Sequence, residues 1–187
     1  MKHWVFIALF LSLGAVAEER ITVCYNYGCY AQAVVVYSDA QLAELGVLMR
    51  SARSAQEERA ALGEAVGRLL GWAGKQSPIS ADRGGNYADD GVDGRMDCID
   101  HSTTTTRLLH MIDRQGLLRY HRVLEPALRS TLLIFLHYSA QIEEKDGPAD
   151  APPARYVVDS WFFDNGHPAA VMSLESWLAR ESPDGDD

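Results

Sequence analysis

The sequence predicts an α+β fold, and three observations carry that expectation. Two stretches of helical periodicity fill the region from Ser38 to Ala73, a third helix begins at Cys98, and from Leu118 onward short β-favouring runs alternate with turn signals. Helices first and an antiparallel meander afterwards point to segregated α and β elements rather than a βαβ repeat.

The first 17 residues read as an export signal. Lys2 and His3 precede an apolar run from Trp4 to Leu13, and Ala15-Val16-Ala17 puts small residues where signal peptidase cuts, so cleavage before Glu18 is expected, with export to the periplasm or outside the cell. That run is shorter than the roughly 20 residues a membrane-spanning helix needs, and no other stretch is long and apolar enough. What remains, about 170 residues, suits one compact domain over residues 18–180. An acidic tail, residues 181–187, is expected to be disordered. The formal net charge of -9 leaves no basic stripe to neutralise phosphates, which excludes nucleic acid as the expected partner.

Cys24 and Cys29 bracket Tyr25-Asn26-Tyr27-Gly28, and both flanks, Ile21 to Val23 and Ala33 to Tyr37, are rich in β-formers. This predicts a hairpin stapled across its turn by a disulfide. Of the three possible pairings among three cysteines, this local one leaves Cys98 free. An unpaired thiol in an oxidising compartment suggests a function, the alternatives being a buried, protected thiol or a bond to another chain.

Ser38 and Asp39 offer an N-cap for a helix from Ala40 to about Arg53. A second, from about Gln56 to Ala73, carries Ala60, Leu62, Val66, Leu69, Leu70 and Trp72 as a broad apolar stripe. Pro78 ends the helical region, and residues 80–96 form an extended loop rich in Gly and Asp. Asp97 is then an N-cap, with Cys98 at the first helical position and Asp100 at the third, an acidic variant of the capping box. Gly116 closes this helix. Thr103 to Thr106 are poor helix formers, so it needs tertiary packing, as a central helix would receive. Leu118 to Leu124 suits a strand; Thr131 to Ile142 suits a strand or a buried helix. After the turn-rich segment from Lys145 to Ala154, Arg155 to Phe163 reads as a strand. Asn165-Gly166 is a hairpin signal, followed by a strand at Ala169 to Met172 and a short helix at Leu174 to Ala179.

A thiol at a helix N-terminus faces unpaired backbone N–H groups and the positive end of the helix dipole, which favour thiolate. Asp97 and Asp100 work against this unless their charge is absorbed by capping bonds. A cysteine nucleophile also needs a base and a group to orient the base. Of the six histidines, His3 lies in the leader, His101 and His110 on the Cys98 helix, His121 and His137 on strands, and His167 beside a turn. His137 has Asp159 on the next strand, so Cys98, His137 and Asp159 can meet where a helix N-terminus abuts two adjacent strands. A strand histidine or aspartate is also commonly a satisfied structural residue.

The DCID run, Asp97 to Asp100, resembles the DCxD element at the head of the central helix in bacterial transglutaminase-like cysteine proteinases, and more broadly the transglutaminase-like superfamily with its papain-like core. The family order of Cys on a helix, His on a strand and Asp on the following strand is matched by MDCIDHS, FLHYSAQI and YVVDSW. The resemblance covers roughly Leu62 to Trp177, the Cys24–Cys29 hairpin being an addition. It implies an antiparallel sheet packed on the central helix, with Cys98 as nucleophile, His137 as base and later acid, and Asp159 as orienter. The implied activity is acyl transfer from a peptide or protein amide, as a cysteine peptidase or amidase. Met96 and Ile99 stand where family members often carry Gly and an acidic residue. Some relatives bind calcium through carboxylates flanking the Cys, and Asp89, Asp90, Asp93, Asp97 and Asp100 form an acidic run. As an EF-hand loop it fails, with Gly91 at the third ligand position and no Glu at the twelfth. No metal or cofactor is therefore expected, with Asp89, Asp93, Asp97 and Asp100 as the calcium candidates. Zinc is disfavoured because the histidines lack ligand spacing.

Beside the Cys98 N–H, a second oxyanion donor is sought among Gln76, Asn86 and Tyr87, and Trp161, Phe162 and Phe163 are candidates for a substrate groove. The competing readings are a non-catalytic cell-envelope binding module on the same scaffold and a calcium-dependent adhesin-like domain.

Overall fold

The computed structural model describes residues 18–131, 135–146 and 152–183; the expected leader and most of the acidic tail lie outside them. In chain order come β1 (Glu19–Tyr25), β2 (Ala31–Tyr37), α1 (Asp39–Ser51), α2 (Ala55–Gly74), a 3-10 turn (Pro78–Ala81), α3 (Cys98–Arg114), β3 (His121–Thr131), β4 (Phe135–Glu144), β5 (Arg155–Asp159), β6 (Ala170–Ser173) and α4 (Leu174–Ala179). The described residues thus hold four α-helices and two antiparallel sheets, β1-β2 and β3-β4-β5-β6, an α+β architecture. No helix among them is long and apolar enough to cross a membrane.

α3 is the element the others surround. Its buried face, Leu108, Leu109, Met111 and Ile112, joins Ile21, Val23 and Val35 of the hairpin, Leu62, Val66 and Leu69 of α2, and Ala140, Ile142 and Val158 of the large sheet in one apolar cluster. Each large side chain so enclosed contributes about 1.5–3 kcal/mol. Two of the threonines that make α3 a poor helix on its own make tertiary bonds: Thr104 Oγ1 accepts the Cys24 N–H at 2.9 Å, and Thr105 Oγ1 lies 2.9 Å from Ser160 Oγ. The helix ends in a Schellman motif, with Gly116 at φ +66°, its N–H donated to Asp113 O and that of Leu117 to Ile112 O. On α2, Gly63 and Gly67 let the backbone at 167–169 lie directly on the helix. A Cβ at Gly67 would meet His167 O at 2.5 Å.

Three of the expected strands have different bounds in the structure. The strand expected at Leu118 to Leu124 begins only at His121, because Glu58 of α2 takes the N–H groups of Arg119, Tyr120 and His121 at 2.7–3.0 Å. It then continues to Thr131, past Pro126, which sits in a register shift between Leu124 and Ala127. β3 is an outer strand, where a residue without an N–H is tolerated. The run expected from Thr131 to Ile142 is therefore the end of β3 and most of β4, with residues 132–134 outside the described ones. The strand expected from Arg155 to Phe163 stops at Asp159. There the Trp161 N–H turns to Asp159 Oδ1 (3.1 Å) and the Trp161 carbonyl accepts from Gly85 N (2.9 Å), removing both from the ladder. Asn165-Gly166 consequently marks a turn within a longer β5–β6 connection rather than a two-residue hairpin.

Candidate active site

The N-terminus of α3 meets the open end of the large sheet. Asp97 caps the helix, its Oδ1 accepting the N–H groups of Ile99 (3.0 Å) and Asp100 (2.9 Å), while Asp100 Oδ2 accepts the Asp97 N–H at 3.1 Å. The capping bonds leave the Cys98 N–H outside the box. Cys98, the free cysteine among the described residues, is partly exposed, with its Sγ 3.7 Å from Leu136 O on β4. The next residue, His137, reaches from β4 to β5, its Nε2–H donating to Asp159 Oδ2 at 2.8 Å. With Nε2 committed, Nδ1 is the ring nitrogen left for the thiol. The three residues picked out in the sequence are thus brought together.

His137 lies in a largely dry pocket, with Trp161, Phe162 and Trp177 rings 4.9, 6.1 and 5.7 Å away. Burial opposes a charged imidazole, but the hydrogen bonds to Asp159 and Cys98 and the charges they carry outweigh it, and the pKa is pushed up to about 9. Asp159 is itself fixed from two further sides. The Trp177 indole N–H donates to Oδ2 at 2.9 Å and the Trp161 N–H to Oδ1. Arg129, paired with His137 in the β3–β4 register, lays its guanidinium over the Trp177 ring 4.5 Å from the centroid. Burial, helped by the nearby Arg180 charge, holds the Arg129 pKa below the usual arginine range despite Asp159 and Tyr87 nearby.

The hairpin, expected to be an addition to the core, contributes directly. Cys24 and Cys29 form a disulfide. The turn between them donates three backbone N–H groups to the capping carboxylates: Tyr27 N to Asp100 Oδ2 (2.8 Å), Cys29 N to Asp100 Oδ1 (2.6 Å) and Gly28 N to Asp97 Oδ2 (2.9 Å). This absorbs much of the negative charge that would otherwise face the thiol. Two other carboxylates of the acidic run also have protein partners: Asp89 takes the Tyr27 hydroxyl and pairs with Arg95, and Asp93 accepts from Asn26 Nδ2. A cation at Asp89, Asp93, Asp97 and Asp100 would have to displace these donors. Cys24, Cys29 and Asp100 cluster within 4.8 Å, but sulfurs joined in a disulfide are not thiolate ligands.

The remaining histidines sit elsewhere. His101, one turn along α3 from Cys98, is buried between Ser160 Oγ (2.9 Å) and Asp82 Oδ2 (3.1 Å, off the line of a hydrogen bond), bracing the end of β5 against the 82–96 loop. His121 is sealed against Glu58, and His110 and His167 are exposed. Of the oxyanion candidates, Gln76 is spent on both backbone groups of Val36, and Asn86 donates to Arg83 O. Tyr87 stacks tilted on Trp161, 4.7 Å away, and remains largely exposed beside the site. Trp161 serves as a wall of the His137 pocket, 6% exposed.

Trp177, Arg129 and the backbone of the Cys24–Cys29 turn are site components that sequence reasoning did not assign. A tryptophan in a short terminal helix and a lone arginine on a strand carry no spacing signal. Comparison of the chain with protein-family models, curated proteins and solved structures finds no match in any of the three.

Proposed function

We propose that the chain is an exported thiol-dependent acyl-transfer enzyme of transglutaminase-like type, a cysteine peptidase or amidase acting on a peptide or protein amide. The observation that carries this reading is the placement of one imidazole, His137, between Asp159 at 2.8 Å and the thiol at the head of α3. A histidine with a pKa near 9 is protonated at neutral pH, so His137 already holds the proton that a leaving amine needs.

Cys98 Sγ attacks the amide carbonyl, a C–S bond forms and the carbonyl oxygen takes the negative charge. The Cys98 N–H, not used by the capping box, is the donor for that oxygen. His137 then gives its proton to the leaving amine as the C–N bond breaks, and the thioester is resolved by water, or by a second amine, with His137 accepting its proton. Asp159 holds the ring in the tautomer this requires, its own carboxylate fixed by the Trp177 indole N–H and the Trp161 N–H. Exposed Ile99, next to Cys98 in the chain, and Tyr87, stacked on Trp161, supply apolar surface for the residues around the scissile bond. The Cys24–Cys29 disulfide accords with the export expected from the leader.

The test is the pH dependence of Cys98 alkylation by iodoacetamide in the oxidised protein, followed by mass spectrometry, for wild type and His137→Ala. Fast labelling well below pH 8 that disappears in the variant is expected. Slow labelling with an ordinary thiol profile in both proteins would leave the binding-module reading in its place.

A further inference from the structure

The turn that joins β1 to β2 is unusual in its backbone. Asn26, Tyr27, Gly28 and Cys29 all have left-handed φ angles, +65°, +63°, +66° and +59°. Only Gly28 adopts that region without steric cost; for the other three it must be imposed. Two things impose it: the disulfide that closes the turn, and the Asp97 and Asp100 carboxylates that collect its N–H groups. Successive backbone N–H groups presented to one side form an anion-binding concavity, here filled by the helix cap of the nucleophile itself.

Resting on the role given above to Cys98, we propose that the Cys24–Cys29 turn is a redox-sensitive positioning element of the site. Oxidised, it holds the Asp97–Asp100 cap and neutralises it; reduced, it releases the cap and Cys98 loses its reactivity. The two sulfurs are placed unequally, as such a switch requires. Cys24 is fully buried, with Arg107 Nη1 3.4 Å from its Sγ, whereas Cys29 is only half-buried, with Gln32 Nε2 as its neighbour at 3.1 Å. A dithiol therefore attacks Cys29 Sγ, the S–S bond breaks, and the electron pair leaves on Cys24 Sγ, beside the Arg107 cation. The second thiol of the reductant then displaces Cys29, so that the dithiol closes to its own disulfide and both cysteines end as thiols. The freed Cys29 sulfur is left within reach of the Asp100 carboxylate, and nothing covalent holds Asn26, Tyr27 and Cys29 in the left-handed region. Burial and the charge of Asp97 push the Asp100 pKa up to about 6 even with these N–H bonds in place, which shows how closely the two carboxylates crowd.

The experiment measures Cys98 alkylation by iodoacetamide at pH 7 in the full chain, oxidised wild type against Cys24→Ser/Cys29→Ser, with circular dichroism and thermal unfolding recorded on the same samples. The double variant is expected to label at least tenfold more slowly while remaining folded. Adding Asp100→Asn to it, which keeps a capping oxygen but removes one of the crowded charges, is expected to recover most of the rate. Labelling of the double variant at the wild-type rate overturns the proposal, as does a slow rate that Asp100→Asn leaves unchanged, since that is general loosening. If the double variant does not fold, wild type reduced with dithiothreitol and desalted replaces it, and the same loss must reverse on reoxidation. Slow labelling already in oxidised wild type, unaffected by His137→Ala, would instead reject the enzymatic reading on which this one rests.

Discussion

His121 and His137 each place a ring nitrogen 2.8 Å from a buried carboxylate oxygen, of Glu58 and Asp159 respectively. Around His121 the chemistry is closed. Both partners are fully buried, Glu58 also accepts the N–H groups of Arg119, Tyr120 and His121, and Arg59 Nη1 lies 3.4 Å from the second ring nitrogen. Burial pushes the Glu58 pKa up, but these hydrogen bonds outweigh it and leave the carboxyl below its usual range. Around His137 one nitrogen is left over, and it faces a thiol. A buried His–carboxylate pair is thus a structural rivet when both ring nitrogens are satisfied within the fold, and a candidate for proton transfer when one is not.

Mutating the two histidines should separate those roles most sharply. His137→Ala is expected to lower Cys98 alkylation at neutral pH, and amide hydrolysis once a substrate is in hand, by about 10²- to 10⁴-fold, and to lower the urea midpoint as well, because the buried Asp159 loses its partner. His121→Ala strands the buried Glu58 charge and is expected to cost about 3–5 kcal/mol in the same titration, while Cys98 in the folded fraction labels at the wild-type rate.

The pH dependence of stability offers a second separation. His137 has its pKa raised from 6.5 to about 9, so the folded state binds its proton more tightly than the unfolded state. Its contribution is fully present below pH 6.5 and is lost as pH rises towards 9, amounting to about 3 kcal/mol across that window. Urea midpoints measured from pH 6 to 9.5 should fall in wild type and fall less in Cys98→Ala, which removes one of the groups that favours the charged ring. Equal slopes in the two proteins would dissociate Cys98 from His137.

A smaller effect is expected from Trp177→Phe, which keeps the aromatic wall but deletes the N–H that steadies Asp159 Oδ2. A hydrogen bond to a charged group contributes about 1.5–3 kcal/mol, so the alkylation rate should drop about tenfold. An unchanged rate would mean that Asp159 is held well enough by the Trp161 N–H alone.

What the sequence announced and what it hid divide along the same line. The cap at Asp97 and Asp100, the start of α3 at Cys98 and its end at Gly116 were legible because caps are local patterns. His137 and Asp159 were legible as a pair because consecutive antiparallel strands tend to be neighbours, and here they are. The start of β3 was not, since Glu58 sets it from 61 residues or more away. Nor was the contact between the Cys24–Cys29 turn and the α3 cap, which spans 69–73 residues. Of the four left-handed residues in that turn, only Gly28 announces such a conformation.

The threonine run in α3 bears on how the protein matures. A helix carrying Thr103 to Thr106, two of them bonded only to groups on the hairpin and after β5, does not persist by itself in the unfolded chain. It forms when segments some 55–80 residues distant arrive to hold it. Until then Cys98 has neither a helix terminus nor an imidazole beside it. Whatever reactivity Cys98 owes to those two neighbours therefore arises only when folding is complete.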